Sequence, residues 1–369
     1  MTPRQRVQAV YEGRTPDRVP LMLDLSHWYK KNHDVFFDLT GFKEVEQDLV
    51  DLHRKVGAVV YIETGSHFDI YYEDESVTSK AWTDDHGVFH QELTTPLGTV
   101  REERVFSTKS YSYNIRKRMI ENIRDMAVIA YAMTSRRCRP RYERYRAWQQ
   151  AAGELGFIYS ALGYSGFGFL ISRYMGVENT IMAVYDHPDE VRQFVDTVNE
   201  SNLRVLDEIR DEPFDVLLVG DNHDSNVQTE ELFNRYTREY YSDLVRAMHD
   251  RGKYVAAHVD GEMRGFLSRL SGCGVDCIDA CTPAPMFSLT AQQAREEAGP
   301  DLILSGGIPA TVFGNHGTDE EFVETVKRWL DIRHHSPRLI LAAGDQVPTD
   351  APFHRIAMLS QLIDEYGRY

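Results

Sequence analysis

The chain has 369 residues, 42% hydrophobic and 27% charged, enough for a large core and unlike a disordered composition. Its 57 acidic residues against 41 basic ones give a formal charge of -16, which excludes a nucleic-acid backbone as the main partner. No apolar run reaches the roughly 18 residues that span a bilayer. The opening MTPRQRVQAVYEG lacks the apolar stretch of a secretory signal, and four cysteines do not make a disulfide framework, so a cytoplasmic setting is expected.

Taken in chain order, Thr2-Pro3 predicts a capped helix start and Gly13 its end. The run RVPLMLD predicts a strand ending at Asp24, and residues 42–56 predict a helix. Gly57 then leads into AVVYIE, a buried strand ending at Glu63. Residues 88–107 alternate around a Pro-Leu-Gly turn and predict an antiparallel hairpin inserted beside the main sheet. The basic run RRCRPRYERYR over residues 136–146 is expected to be a solvated surface segment.

Within GFIYSALGYSGFGF a strand precedes a glycine-rich turn. That turn has neither G-x-G-x-x-G nor G-K-[ST], so no nucleotide cradle is expected. His187-Pro188-Asp189 starts a long helix to about Arg210, and FDVLLVGD ends in Asp221. Two strands follow within residues 253–285, the first ending in His258 and Asp260, the second near Asp279. DLILSGG and RLILAAGD supply the last two, and between them Thr318 and Glu321 form a capping box for a helix ending near Ile332. Eight buried strands separated mostly by helices predict an α/β chain folded as a single (β/α)8 TIM barrel over residues 1–369.

Strand ends carry Asp24, Glu63, Asp221, Asp260, Asp279 and Asp345, with His223 and His258 among them. Gathered at one end of a barrel, these acids would repel unless a cation or shared protons intervened. His258 and Asp260 are two apart and leave one face of an extended chain. With Asp345 they make the expected metal set for zinc, or for manganese or iron. The alternative is an aspartate holding His258 as an imidazolium without metal. Asp221 and His223 form a rival cluster whose acids could instead cap a helix. Cys273, Cys277 and Cys281 are expected to be buried structural thiols. Tyr61, Phe68, Tyr71, Tyr72, Tyr164, Phe167 and Phe169 are candidate aromatic walls, about half of them expected at a cavity.

The segments RQRVQAVYEGRTPDRVPL, GFGFLISRYMGVENTIMAVYDHPDEV, LLVGDNHDS, YVAAHVDG, LSGGIPATVFG and ILAAGDQVPTDAP resemble the uroporphyrinogen decarboxylase superfamily, which includes the corrinoid-linked methyltransferases. The resemblance implies a (β/α)8 barrel with its site at the C-terminal mouth. In the decarboxylase branch it implies an arginine-rich N-terminal grip on substrate carboxylates; the corresponding LMLDLSHWYKKNHD has no arginine, and the second strand ends in Glu63-Thr64-Gly65. In the methyltransferase branch it implies zinc on H-x-C and on a cysteine after the last strand's glycine. Here those positions read His258, Asp260 and, after Gly344, Asp345.

The expectation is a metal-dependent methyltransferase, moving a methyl group from a small O- or N-methylated substrate to a corrinoid protein. Glu63, Asp221 and His223 would handle the proton or orient the substrate, and Asp24, Tyr72, Tyr164, Phe167 and Asp279 would bind it. A carboxy-lyase acting on a small carboxylate is the alternative, and a non-catalytic sensor the third class. A homodimer is suggested by the resemblance alone.

Overall fold

The structure is a computed structural model that describes residues 1–35, 44–61, 63–64 and 68–369, except for the side chains of Glu44, Val45, Glu63 and Thr64. The parallel strands are β1 (Met22–Leu23), β2 (Val59–Val60), β3 (Glu63–Thr64), β4 (Tyr159–Gly163), β5 (Val216–Val219), β6 (Tyr254–His258), β7 (Cys277–Cys281), β8 (Ile303–Ile308) and β9 (Leu339–Ala343). One sheet runs in the order β9-β8-β7-β6-β5-β4-β3, and β1 pairs with β2. Parallel bridges from Leu21 to Leu341 and from Val60 to Gly156 set the β1–β2 pair against both flanks of that sheet. The architecture is a TIM-like α/β fold.

Side-chain alternation explains why these runs are apolar throughout. Val216 and Leu218 join an inner cluster with Met22, Val59, Tyr159, Ala256, Cys277, Ile303 and Ile340. Their neighbours Leu217 and Val219, like Leu339 and Leu341, turn the other way into the main core, beneath Trp148, Trp329 and Tyr241. Both faces are buried, so no polar alternation marks the strands. The helices between them start as the sequence dictates. Thr2 accepts from the Gln5 amide while the Gln5 side chain accepts from Thr2, and Thr318 and Glu321 repeat the arrangement for helix Asp319–Asp331.

An antiparallel sheet stands apart from the parallel strands. Val88–Thr95 pairs with Gly98–Ser107, and Thr78–Thr83 and Ser112–Lys117 flank that pair. Thr78–Thr83 is exposed along its whole length, so it carries no alternation by which a sequence reading could find it. Leu93 and Val100 seat the sheet on Met126 and Ile129 of helix Ile123–Ser135. Cys138, Cys273, Cys277 and Cys281 are free, buried thiols.

The basic run is solvated only in part, at Arg139, Glu143 and Arg146. Arg136–Pro140 forms a strand antiparallel to Phe68–Tyr72, and Arg141 and Arg144 reach Asp69 at 2.6 and 2.8 Å. Arg137 meets Glu73 at 2.9 Å, and the buried Arg136 donates to Asn202 Oδ1 at 2.8 Å. Four of its arginines are absorbed by acids and an amide distant in sequence, which a local charge count cannot detect, while Arg139 and Arg146 stay exposed.

Ahead of β5, Glu212 is 1% exposed. Burial raises its pKa to about 8, with the Lys253 charge pulling weakly the other way. The folded chain therefore keeps a proton there that the unfolded chain gives up in the ordinary glutamate range. Stability from this group is fully present below the unfolded pKa and is lost as pH rises to about 8. At about 1.4 kcal/mol per pKa unit this amounts to a few kcal/mol. Chemical denaturation from pH 5 to 9 should show the wild type losing stability relative to Glu212→Gln. Parallel curves for the two proteins would contradict this.

Candidate active site

A cavity of about 250 Å³ opens at the C-terminal ends of the parallel strands. Met22 and Asp24 follow from β1, Tyr61 from β2, Gly163 and Tyr164 from β4, and Gly220 and Asn222 from β5. His258, Asp260, Asp279, Ala280, Ser305, Ala342, Ala343, Asp345 and Gln346 complete the wall. A wider space of about 630 Å³ shares Asp260, Asp345 and Gln346 with it. This outer space extends to Ser107, Lys109, Ser110 and Asn114 at the rim of the antiparallel sheet.

The strand register sets His258 directly beside Asp279. His258 Nδ1 lies 2.9 Å from Asp279 Oδ2, and the Tyr61 hydroxyl donates to the same oxygen at 3.0 Å. On the other side of the ring, Nε2 faces Asp345 Oδ1 at 3.9 Å. Burial pulls the His258 pKa down, but the Asp279 hydrogen bond and the fields of Asp279, Asp345 and Asp260 outweigh it and raise the value to about 9. Burial likewise raises Asp260 and Asp345; the His258 charge opposes this in both, while neighbouring carboxylates add to it.

His258, Asp260, Asp279, Asp345, Asp24 and Tyr164 thus all line one cavity. Asp24 also accepts from the Ser26 amide at 2.8 Å. Asp279 engages both His258 and Tyr61 through Oδ2 while it lines the cavity. As the side chains stand, no group of three or more His, Cys, Asp or Glu among the described residues is arranged to hold a metal ion. His258 and Asp345 face each other, and Asp260 lines the same cavity without completing a three-donor group. The Glu63 side chain lies outside the described residues.

Asp221 and His223 are fully buried and do not line the cavity. Asp221 accepts from the Ser165 amide at 2.5 Å and from the Tyr241 hydroxyl at 3.2 Å, and His223 Nε2 meets that hydroxyl at 2.9 Å. Burial raises Asp221 to about 6 and lowers His223 to about 3. The pair braces the turn after β4, where Ser165 caps the short helix that follows. Between them, Asn222 adopts φ 50°, and it is this residue that lines the cavity. Asparagine is among the few residues that enter the left-handed region readily, which is the one sequence signal that could have found it.

Tyr72 and Phe167 are also misplaced by sequence reasoning. Phe167 is fully buried in the second core cluster and stacks on Tyr236 at 4.9 Å; Tyr72 packs against that cluster. For Phe167 the cause is the close seat of Gly166, where an added Cβ would lie 2.5 Å from the Val195 carbonyl oxygen, so the turn is pressed onto helix Pro188–Ile209. Phe68 is core, Tyr71 stands outside over Arg139, and Phe169 backs Tyr164 at 5.2 Å. Of the aromatic candidates, Tyr61 and Tyr164 reach the cavity. Phe167→Ala should therefore cost about 3–5 kcal/mol of stability while leaving ligand binding in the cavity unchanged. Calorimetry and ligand titration on one preparation check both halves.

Ionisable groups concentrated at the carboxyl ends of a parallel sheet, around a recessed cavity, define an α/β enzyme. Residues 159–366 match the family model for uroporphyrinogen decarboxylase (URO-D), and the chain belongs to that family. A methyltransferase from Methanosarcina mazei shares the fold with a TM-score of 0.67 at 15% identity, covering 99% of each chain. An endo-1,4-beta-mannanase from Rhizomucor miehei superposes at a TM-score of 0.38, with 11% identity over 95% of each chain. A 3-dehydroquinate dehydratase from Geobacillus kaustophilus gives 0.28 at 14% identity, over 67% of this chain and 77% of its own. No curated protein matches the sequence. Among the described residues no helix is long and apolar enough to cross a membrane.

Proposed function

We propose that this chain is a methyltransferase on a closed (β/α)8 barrel comprising residues 1–369, taking a methyl group from a small O- or N-methylated substrate and passing it to a corrinoid protein. The observation that carries the reading is His258, fixed at Nδ1 by Asp279 and turned at Nε2 toward Asp345 inside the cavity. An imidazole oriented by a carboxylate through its other nitrogen is the usual support for a metal ligand. Imidazole nitrogen and carboxylate oxygen are donors that suit a divalent ion, zinc first and manganese or iron next. His258, Asp260 and Asp345 would hold it; they form no three-donor group as they stand and would have to close on it. Their crowded carboxylates would gain from a cation. Bound there, such an ion supplies Lewis-acid stabilisation of the leaving heteroatom.

The chain's own residues do the rest. Tyr61 steadies Asp279, Asp279 steadies His258, and Tyr164 closes the wall across from them. In the transfer, the carbon–heteroatom bond breaks with its electron pair left on the heteroatom, which takes a proton from solvent. A reduced corrinoid on the partner protein would supply the electron pair that accepts the methyl group. That partner would approach through the outer space, which is open beside Lys109 and Asn114. The test is spectrophotometric: wild type, a methylated donor and cob(I)alamin should give methylcobalamin. Donor consumption with release of carbon dioxide and no methylcobalamin would contradict the reading.

A second reading has its own observation. Without a cation His258 is held protonated, near pKa 9, with its Nε2 side facing the cavity. That is a proton donor suited to a carboxy-lyase, which would release carbon dioxide from a small carboxylate substrate.

A further inference from the structure

Two polar groups in the cavity have no assigned task. Ser305, on β8, lines the cavity and is 1% exposed, yet its hydroxyl oxygen has no hydrogen-bond partner among the described residues. It lies one strand beyond Asp279, with β7 between β8 and the His258 strand. Asn222 lines the wall at the end of β5, held at φ 50° between the buried Asp221 and His223. A buried hydroxyl without a protein partner is costly unless what fills the cavity completes it.

The remaining lining restricts what that occupant can be. Among the described residues no lysine or arginine lines the inner cavity, while Asp24, Asp260, Asp279 and Asp345 do. An anionic substrate would meet repulsion there. Met22, Ala280, Ala342 and Ala343 add a small apolar surface that suits a methyl or methylene group.

We propose that Ser305 and Asn222 are the substrate anchors of this site, and that the substrate is a small uncharged methyl ether or alcohol whose oxygens they hold. The inference deepens the methyl-transfer reading and rests on it for the chemical step alone. The two anchors come from strands with β6 and β7 between them, so they address different atoms of the ligand. Both are substrate-positioning residues, since each acts by touching substrate oxygen.

The experiment uses the full chain and two probes of matched size, 2-methoxyethanol and methoxyacetate, followed by ligand-observed NMR. Wild type should bind 2-methoxyethanol in preference to methoxyacetate. Ser305→Ala and Asn222→Gly should each bind 2-methoxyethanol about tenfold more weakly, with unchanged thermal unfolding. Glycine at position 222 keeps the left-handed backbone, so its effect isolates the amide. Tighter binding of methoxyacetate, no binding of 2-methoxyethanol by wild type, or full binding by both variants would overturn the proposal. Anchored binding without methylcobalamin formation would instead defeat methyl transfer and leave the anchors standing. Methylcobalamin formation at wild-type KM in both variants would do the reverse.

Discussion

A His258→Gln protein should fold normally and show no measurable methyl transfer. Glutamine can still donate an N–H toward Asp279, so the buried carboxylate keeps a partner and the end of the sheet keeps its packing. What disappears is the nitrogen that faces Asp345. A histidine-to-alanine change would confuse the outcome, because stripping the partner from a buried charge costs about 3–5 kcal/mol by itself. Single-turnover assays with cob(I)alamin, run beside circular dichroism, read the two effects separately. Turnover near the wild-type rate would remove His258 from the mechanism.

The second large effect is expected one residue further from the chemistry. Asp279→Asn preserves the shape of the side chain and an oxygen for the His258 N–H, but it removes the charge that orients the ring and makes it basic. Second-sphere partners of metal-bound histidines typically account for about 10- to 100-fold in affinity or activity. Metal affinity and kcat should fall together by about that factor, and the Tyr61 hydroxyl should still find an acceptor at position 279. An unchanged metal affinity would separate Asp279 from the proposed ligand set and favour the reading in which His258 acts as a protonated acid.

How far the sequence revealed this site differs residue by residue. His258 and Asp279 were legible because each sits at the end of an apolar run, and parallel register then aligns them. Asp221 and His223 have the same sequence signature and the opposite fate. The left-handed turn at Asn222 sends both side chains into the core, a reversal that periodicity does not encode. Ser305 went unnoticed because a serine inside SGG reads as a strand end. Only the structure reveals a buried hydroxyl with no partner among the described residues.

The fold divides in the same way. The parallel strands are recoverable because burial on both faces makes them continuously apolar, as in VLLV over Val216–Val219. The strand Thr78–Thr83 is exposed throughout and depends on its neighbour Val88–Thr95 for pairing. Strand Arg136–Pro140 is set by partners 64 to 72 residues away, among them Asp69, Glu73, Asn202 and Glu208. Long-range pairing of this kind leaves no local trace in the chain.

The measurement that bears most directly on the account is the divalent metal content of the purified wild type and of Asp345→Ala, with methyl transfer assayed on the same samples. Asp345 follows the last parallel strand and faces His258 across the cavity, so its loss removes one proposed donor and leaves the sheet intact. About one bound ion per wild-type chain is expected. The variant should hold near-zero metal and transfer no methyl group while its circular dichroism stays that of a folded protein. A wild type that transfers methyl groups at full rate without metal, or an Asp345→Ala protein that retains both metal and activity, would contradict it.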